Sequence, residues 1–532
     1  MPSDSRPRRK WPYVAGIVVG LLAGLALFVF LRTRNIDDRT REWVVRELQQ
    51  RFNSEVELEE LHVNILPQMG VDGEGLSIRY HNRRDLPPMF HIQKFSFNLG
   101  FLGILRAPRH IAGIYVENMT ITIPPRGEKK EPKHPSKNPL PSVIVDEIVC
   151  NDTDLVMVPK TEGKDPLDFD IHDLVLKSVG QDKPFNFHGN LTNAKPQGEI
   201  ATLGSFGPWD ADEPGDTPVS GSYNFTDADL GPFPGIAGTL SSTGDYHGQL
   251  NEIEVNGKTD TPNFSLDPVG RPVPLHTDFS ATVNGTDGDT YLHPVRATLG
   301  RSLIIAEGSV VRVPEKHGHM IKLNVSAPNA RIQDILSLAV NSDKPFMTGP
   351  AKIKALLILP PGKQKVLEKM ILDGQVGVED AQWSSPEIRD KLASLSRHAE
   401  GEPENEEAGS SVADLHGDFR LEKAVIRFRK LTFGVPGALL DLMGGYDIGE
   451  SKLDFNGHLR LQAKLSQTVT GKKSFFLKAV DPFFSKQGAG TLLPITITGT
   501  RQAPVLGVSV FHKTIKKQLG GDQADQKPGD KH

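Results

Sequence analysis

The chain has 532 residues, a formal net charge of -5 and a pI near 6.4. Its basic residues are dispersed rather than clustered on one element, which removes the electrostatic footprint of a nucleic-acid binder. Gly 51 and Pro 40, with few aromatics beyond Phe 25, suit many short strands separated by turns and argue against a helical bundle. The single cysteine, Cys150, excludes an internal disulfide and a cysteine-based zinc site, and its apolar strand context (IVCND) makes it a small buried hydrophobe.

A basic start (Arg6, Arg8, Arg9, Lys10) leads into Pro12 to Leu31, PYVAGIVVGLLAGLALFVFL, which has twenty residues and no charge. At about 1.5 Å per residue such a helix is about 30 Å long, the thickness of a bilayer's hydrocarbon core. The run is too long for the apolar part of a cleaved signal, and Leu31-Arg32-Thr33-Arg34 has no small-residue cleavage pattern. An uncleaved single-pass anchor is therefore expected. Arg32, Arg34, Arg39 and Arg41 nearly balance the charge count, but a short basic tail before a long exported part favours the N-terminus inside and the bulk outside. Gly16, Gly20 and Gly24 sit four apart and would share a helix face suited to packing on another helix.

Ile36 to Phe52 reads as an amphipathic helix. Ile36, Trp43, Val44, Leu48 and Phe52 recur at helical spacing, and Asp37 and Asp38 sit in the first turn. The period then changes to two. Val56 and Leu58, then Leu61, Val63 and Ile65, alternate, with a bulge expected at Glu59-Glu60. GEGLSIRY, HIQKFSFNL and IYVENMTITI continue as strands, with a helical turn expected from Phe101.

Pro124 to Pro141 is charged, proline-rich and aperiodic, the composition of an extended linker. Strand patterning resumes from Ser142 to Ser326, broken by Gly, Pro, Asn and Asp, which predicts a long antiparallel or meandering sheet without a strict repeat. Two helices are expected in the C-terminal third, one from Ala330 and one from Ser384, the second opening on a Ser-Ser-Pro-Glu cap. Glu400 to Ser411 is an acidic loop, strands follow it, and the tail from Lys513 is polar.

The chemistry-bearing motifs are missing from the sequence. There is no GxSxG, P-loop, Rossmann fingerprint or HExxH. Lys316-His317-Gly318-His319 has no third metal ligand nearby in sequence. Asn284 to Asp289, NGTDGD, looks like a calcium loop but lacks the later ligands and the bidentate glutamate, so a hairpin turn is expected there. No cofactor, metal or catalytic residue is assigned.

A long sheet with one apolar face must cover that face or use it, and the helices are too few to cover so many strands. A closed sandwich or barrel, or a curved sheet with an open apolar trough, remain. A trough fastened to a membrane suits acyl chains: at about 0.8 kcal/mol per buried methylene, a sixteen-carbon chain gains on the order of 10 kcal/mol. The candidate lining residues are Phe95, Phe97, Ile121, Phe185, Phe187, Phe225, Phe279 and Phe455.

The order of segments resembles the AsmA family of Gram-negative envelope proteins, which includes the TamB-like members. The resemblance rests on the anchor, the helix, VELEELHVNILPQMGVDGEGLSIR and HIQKFSFNLGFLGILRAPRHIAGIYVENMTITI, which are similar to the family's N-terminal module. GSFGPWD followed by TPVSGSYNFTDADLGPFPGIAGTLSSTGDYHG resembles its sheet repeats, and GPAKIKALLILPPG through LHGDFRLEKAVIRFRKLTFGVPGALLDLMGGYDIG its C-terminal module. The likeness implies a bacterial inner-membrane protein with its bulk in the periplasm and a curved β-groove, taking part in phospholipid transport or outer-membrane assembly.

The expected fold is thus mainly β with a few helices: a single N-terminal transmembrane helix followed by a long curved β-sheet groove. The expected divisions are tail and anchor (1–35), helix plus β module (36–123), linker (124–141), β-groove repeats (142–328), C-terminal β module with two helices (329–512) and polar tail (513–532). The expected function is non-enzymatic handling of phospholipid or another acyl lipid. Expected partners are the inner membrane and envelope-assembly proteins, with no nucleic acid. A scaffold binding other membrane-biogenesis proteins and a membrane-tethered hydrolase are the alternatives.

Overall fold

The computed structural model describes residues 36–518 apart from 53, 65–69, 81–82, 99–108, 126–142, 161–162, 165, 181–182, 195, 211–212, 267–270, 317, 340–344, 405–411, 465–466, 469–490, 501–502 and 511–512. The expected anchor, the helical turn from Phe101, most of the linker, the acidic loop from 405 and the end of the tail lie outside the described residues. Among the described residues no helix is long and apolar enough to cross a membrane. The protein is mainly β, with twenty-eight strands and few helices in the described part. It divides into two compact units. The first takes in the chain up to Lys160, Pro166–Thr192 and Ala201–Gly221; the second takes in Thr161–Asp165, Asn193–Ile200 and the chain from Ser222 onward.

The first unit opens on the helix Ile36–Phe52. Val44, Val45 and Leu48 pack on a buried cluster of Val56, Leu58, Leu61, Val71, Leu76 and Ile78. Trp43, expected on this apolar stripe, is 50% exposed: at about 100° per residue it points well away from Val44 and Leu48 around the helix. The helix also holds the free side of the first strands. Asp37 Oδ1 accepts a hydrogen bond from Val63 N at 3.0 Å, and Arg41 Nε donates to Leu58 O at 2.8 Å. Edge groups that would otherwise face water are thereby paired.

Val56–Glu57 and Glu60–Asn64 both pair antiparallel with Gly70–Ile78 in one continuous register. No extra residue is inserted at Glu59-Glu60, so the expected bulge is absent and the strand is only interrupted. From Gly70–Ile78 the ladder continues through Phe90–Asn98 to Ile114–Ile123, which runs parallel to Val143–Met157; Leu167–Val179, Phe185–Ala194 and Gln197–Phe206 follow in turn, the first two antiparallel. The apolar alternation slips by one residue in five neighbouring strands, at register partners Glu74, Lys94, Glu117, Asn151 and Asp173. Beside this row Gly75, Asn118 and Asp152 have positive φ of 67°, 52° and 56°. The slip keeps Val116 and Met119, or Cys150 and Thr153, buried together although they are three apart.

The second unit is an antiparallel succession in which neighbours in sequence are mostly neighbours in space, from Thr239–Gln249 to Lys513–Gln518. The tail expected from 513 therefore begins with a strand. Glu252–Leu266, Thr290–Leu299 and His319–Arg331, every second strand of that stretch, each carry an extra residue opposite a neighbour. These bulges fall at Pro262, Pro294 and Pro328. Proline has no N–H to give a ladder, so a bulge is where it is tolerated, and each bulge bends and twists its strand. This periodicity is visible only once the strands are in register.

Two helices rest on one end of the second unit's apolar face. Ile332–Ala339 covers Ala327, Ala351, Val378 and Ala381 with Ile335 and Leu336. Pro386–Glu400 covers Ala413, Val435, Ala438 and Leu461 with Leu392 and Leu395. The second begins as expected: Ser385 Oγ accepts from Ile388 N at 3.4 Å, and Gly401 at φ 84° ends it. A third, short helix, Val366–Lys369, was not expected.

Candidate functional site

Beyond the reach of its two helices, the apolar face of the second unit is open. Val255, Leu275, Phe279, Leu292, Leu323, Leu357 and Leu453 alternate inward along their strands and none is fully buried. A face packed against a second sheet would have these positions buried; here they are half-covered by their own neighbours and half-open. None carries a charge. The opposite face is charged and exposed, with pairs such as His276–Asp260 at 2.6 Å and Lys258–Asp278 at 3.5 Å, and Asp373 held by Arg429 and Arg420 at 3.0 and 3.1 Å. The arginines, chiefly the hydrogen bond from Arg429, hold the Asp373 carboxyl below its ordinary value.

The expected lining phenylalanines are not gathered into one pocket. Most cover a glycine. Phe95 is the register partner of Gly73, and a Cβ on that glycine would fall on the ring. Phe97 stacks on Phe95 with centroids 6.4 Å apart and planes 8° apart, and both pack on the first unit's buried cluster. Ile121, half-buried, lies between Phe90 and Leu155 on its two neighbouring strands. Phe187 reaches to 3.0 Å of a Cβ on Gly204, while Phe185 contacts Phe206 at 5.5 Å, which in turn meets Trp209.

In the second unit, Phe225 comes within 2.8 Å of a Cβ on Gly198, and Phe279 within 2.8 Å of one on Gly257. Phe455, 7% exposed, pairs with Gly444 and touches Phe428 at 6.1 Å. A ring laid over a cross-strand glycine protects that backbone and turns two positions into one smooth apolar surface. Sequence patterning found the rings but not the glycines beneath them; the signal is a glycine opposite an aromatic, which needs the register.

The apolar face carries a polar interruption that sequence patterning missed. Ser242, Thr259 and Thr277 are register partners on three adjacent strands. Tyr223 Oη shares a hydrogen bond with Ser242 Oγ at 3.0 Å, and Ser242 Oγ donates to Lys258 O at 3.1 Å. Thr259 and Thr277 are hydrogen-bonded to each other. Burial raises the Tyr223 hydroxyl's pKa, so it stays protonated.

The calcium-like segment Asn284 to Asp289 is the hairpin turn expected, and its carboxylates hold a lysine of the chain. Lys164 Nζ lies 2.9 Å from Asp289 and 3.4 Å from Asp287, with its side chain 5% exposed. Burial pulls the ammonium's pKa down, but the hydrogen bond and charge of Asp289 together with Asp287 outweigh it and leave it raised. Asp289 also accepts from Arg312 N at 2.8 Å. Burial, then Arg312, push the pKa of His319 in the Lys316 to His319 segment down; His317 lies outside the described residues. Among the described residues no group of three or more His, Cys, Asp or Glu is placed to hold a metal.

The fold and this face define a mainly β protein with an open, uncharged apolar sheet surface. Comparison with protein-family models, curated proteins and solved structures finds no match to the chain.

Proposed function

We propose that the protein is a non-enzymatic, membrane-anchored lipid-handling protein of the AsmA kind, whose open apolar sheet face forms a curved groove for acyl chains. The observation that carries this reading is the half-burial of an uncharged apolar face across successive strands of the second unit, opposite a charged face. An apolar surface left open in water is a standing cost unless something binds it, and methylene chains match its lack of polar groups. The proline bulges support a bent sheet. The uncharged run from Pro12 to Leu31 supports an anchor, and with it an inner-membrane location with periplasmic bulk and a part in phospholipid transport or outer-membrane assembly.

The test is mass spectrometry of lipid carried by the full chain purified in detergent. Phospholipid should accompany the natural chain. The triple variant Val255→Asp, Leu323→Asp, Leu357→Asp should lose most of it, since each carboxylate would face the acyl chain, while strand content by circular dichroism is retained. Equal lipid in the folded triple variant would overturn the groove.

A further inference from the structure

The helix Ile36–Phe52 has a second face that the fold does not use. Val44, Val45 and Leu48 point at the sheet, and Asp37 and Arg41 bond its edge strand. Half a turn round the helix from these, Arg39, Trp43, Arg46 and Gln50 recur at steps of four, three and four and are all exposed. Trp43 is 50% exposed and is the large apolar group of that stripe. Asp37 and Asp38 lie off it, while Glu42 and Glu47 border it on either side, each about 40° round the helix.

We infer that this stripe lies on the phosphate level of the bilayer that Pro12 to Leu31 crosses, with Trp43 inserted among headgroups and Arg39 and Arg46 on anionic phosphates. The inference rests on the anchor reading. Three observations favour a lipid surface as the occupant. The uncharged run ends at Leu31 and the helix begins at Ile36, so extended chain between them spans at most about 18 Å. Indole is the side chain most at home at the membrane–water boundary. The two guanidiniums flanking it, one turn to either side, match phosphate oxygens in charge and geometry.

The consequence is orientation. The same helix caps the first strands through Asp37 to Val63 and Arg41 to Leu58. A helix lying flat on the bilayer therefore fixes the direction in which the first unit's sheet leaves the membrane, which a flexible tether alone would leave free.

The test uses the full chain reconstituted into vesicles of phosphatidylcholine and phosphatidylglycerol. The chain holds four tryptophans, so the difference between the natural chain and Trp43→Phe isolates Trp43 emission. Phospholipid brominated near the glycerol end of its acyl chains should quench that emission. The double variant Arg39→Gln, Arg46→Gln, and vesicles of phosphatidylcholine alone, should each reduce the quenching at least two-fold. Absence of quenching in a chain that still floats with the vesicles overturns the inference but not the anchor. Quenching unchanged in the double variant overturns the phosphate contacts. A chain that does not float with vesicles overturns the anchor reading, and this inference falls with it. Protection of Trp43 from iodide without quenching by brominated lipid would assign the stripe to a protein neighbour and also overturn it.

Discussion

The ring of Phe95 occupies the space that a side chain on Gly73, its register partner on the neighbouring strand, would fill. Replacing Gly73 by Ala must lift the ring off the sheet, at a cost of about 1–3 kcal/mol for overpacking. Because the ring is the nearest obstacle, Gly73→Ala combined with Phe95→Leu should cost less than the two separate changes added together, with a coupling of about 0.5 kcal/mol or more. Urea unfolding of the three variants measures this. Strict additivity would show that the ring does not rest there.

Lys164 makes a second prediction, with a definite sign in pH. Its folded pKa lies above the ordinary 10.5, so the folded state holds this proton more tightly than the unfolded chain. The stabilisation is complete below about 10.5 and is lost as pH rises through the folded value. Lys164→Met leaves Asp287 and Asp289 without the lysine between them, and should destabilise by about 3 kcal/mol at pH 7. The alkaline fall in urea midpoint should shrink in the variant. An unchanged midpoint at pH 7 would sink the pairing.

Cys150 is 1% exposed, and burial pushes its thiol up to about 12. The native protein should therefore resist iodoacetamide at pH 8 and label fully in denaturant, because alkylation needs an exposed thiolate. Labelling of the native chain at the rate of a free thiol would contradict this burial.

The contact of Asp37 with Val63 is testable through the amide itself. Asp37→Ala leaves the Val63 N–H without its carboxylate, at about 1 kcal/mol, and hydrogen exchange at Val63 should accelerate about five-fold or more. Exchange at Val71, which pairs with Val63 on the inner side of the same ladder, should change less.

Much of the architecture was legible along the chain. The change of period after Phe52 marks where helix gives way to strands, and Ser385 with Pro386 marks the start of the Pro386–Glu400 helix. The breaks in alternation at Gln93-Lys94 and Glu117-Asn118 were also there to be read, but their meaning was not. Each is one point of a row crossing five strands, and a single strand cannot show a row. The candidate phenylalanines were found from their own strands, whereas Gly73, Gly198, Gly204 and Gly257, which make room for them, depend on pairing.

The sequence by itself determined the mainly β class, the helices Ile36–Phe52, Ile332–Ala339 and Pro386–Glu400, the hairpin turn at Asn284 to Asp289 and the two chemically distinct faces of the strands. These follow from neighbours a few residues apart, through periodicity, capping and turn chemistry. Only the tertiary structure decided which side of its helix Trp43 takes, where the proline bulges align, and which cation fills the acidic hairpin. Lys164 and Asp289 stand 125 positions apart in the chain, and no local pattern specifies a meeting that depends on how the intervening strands stack.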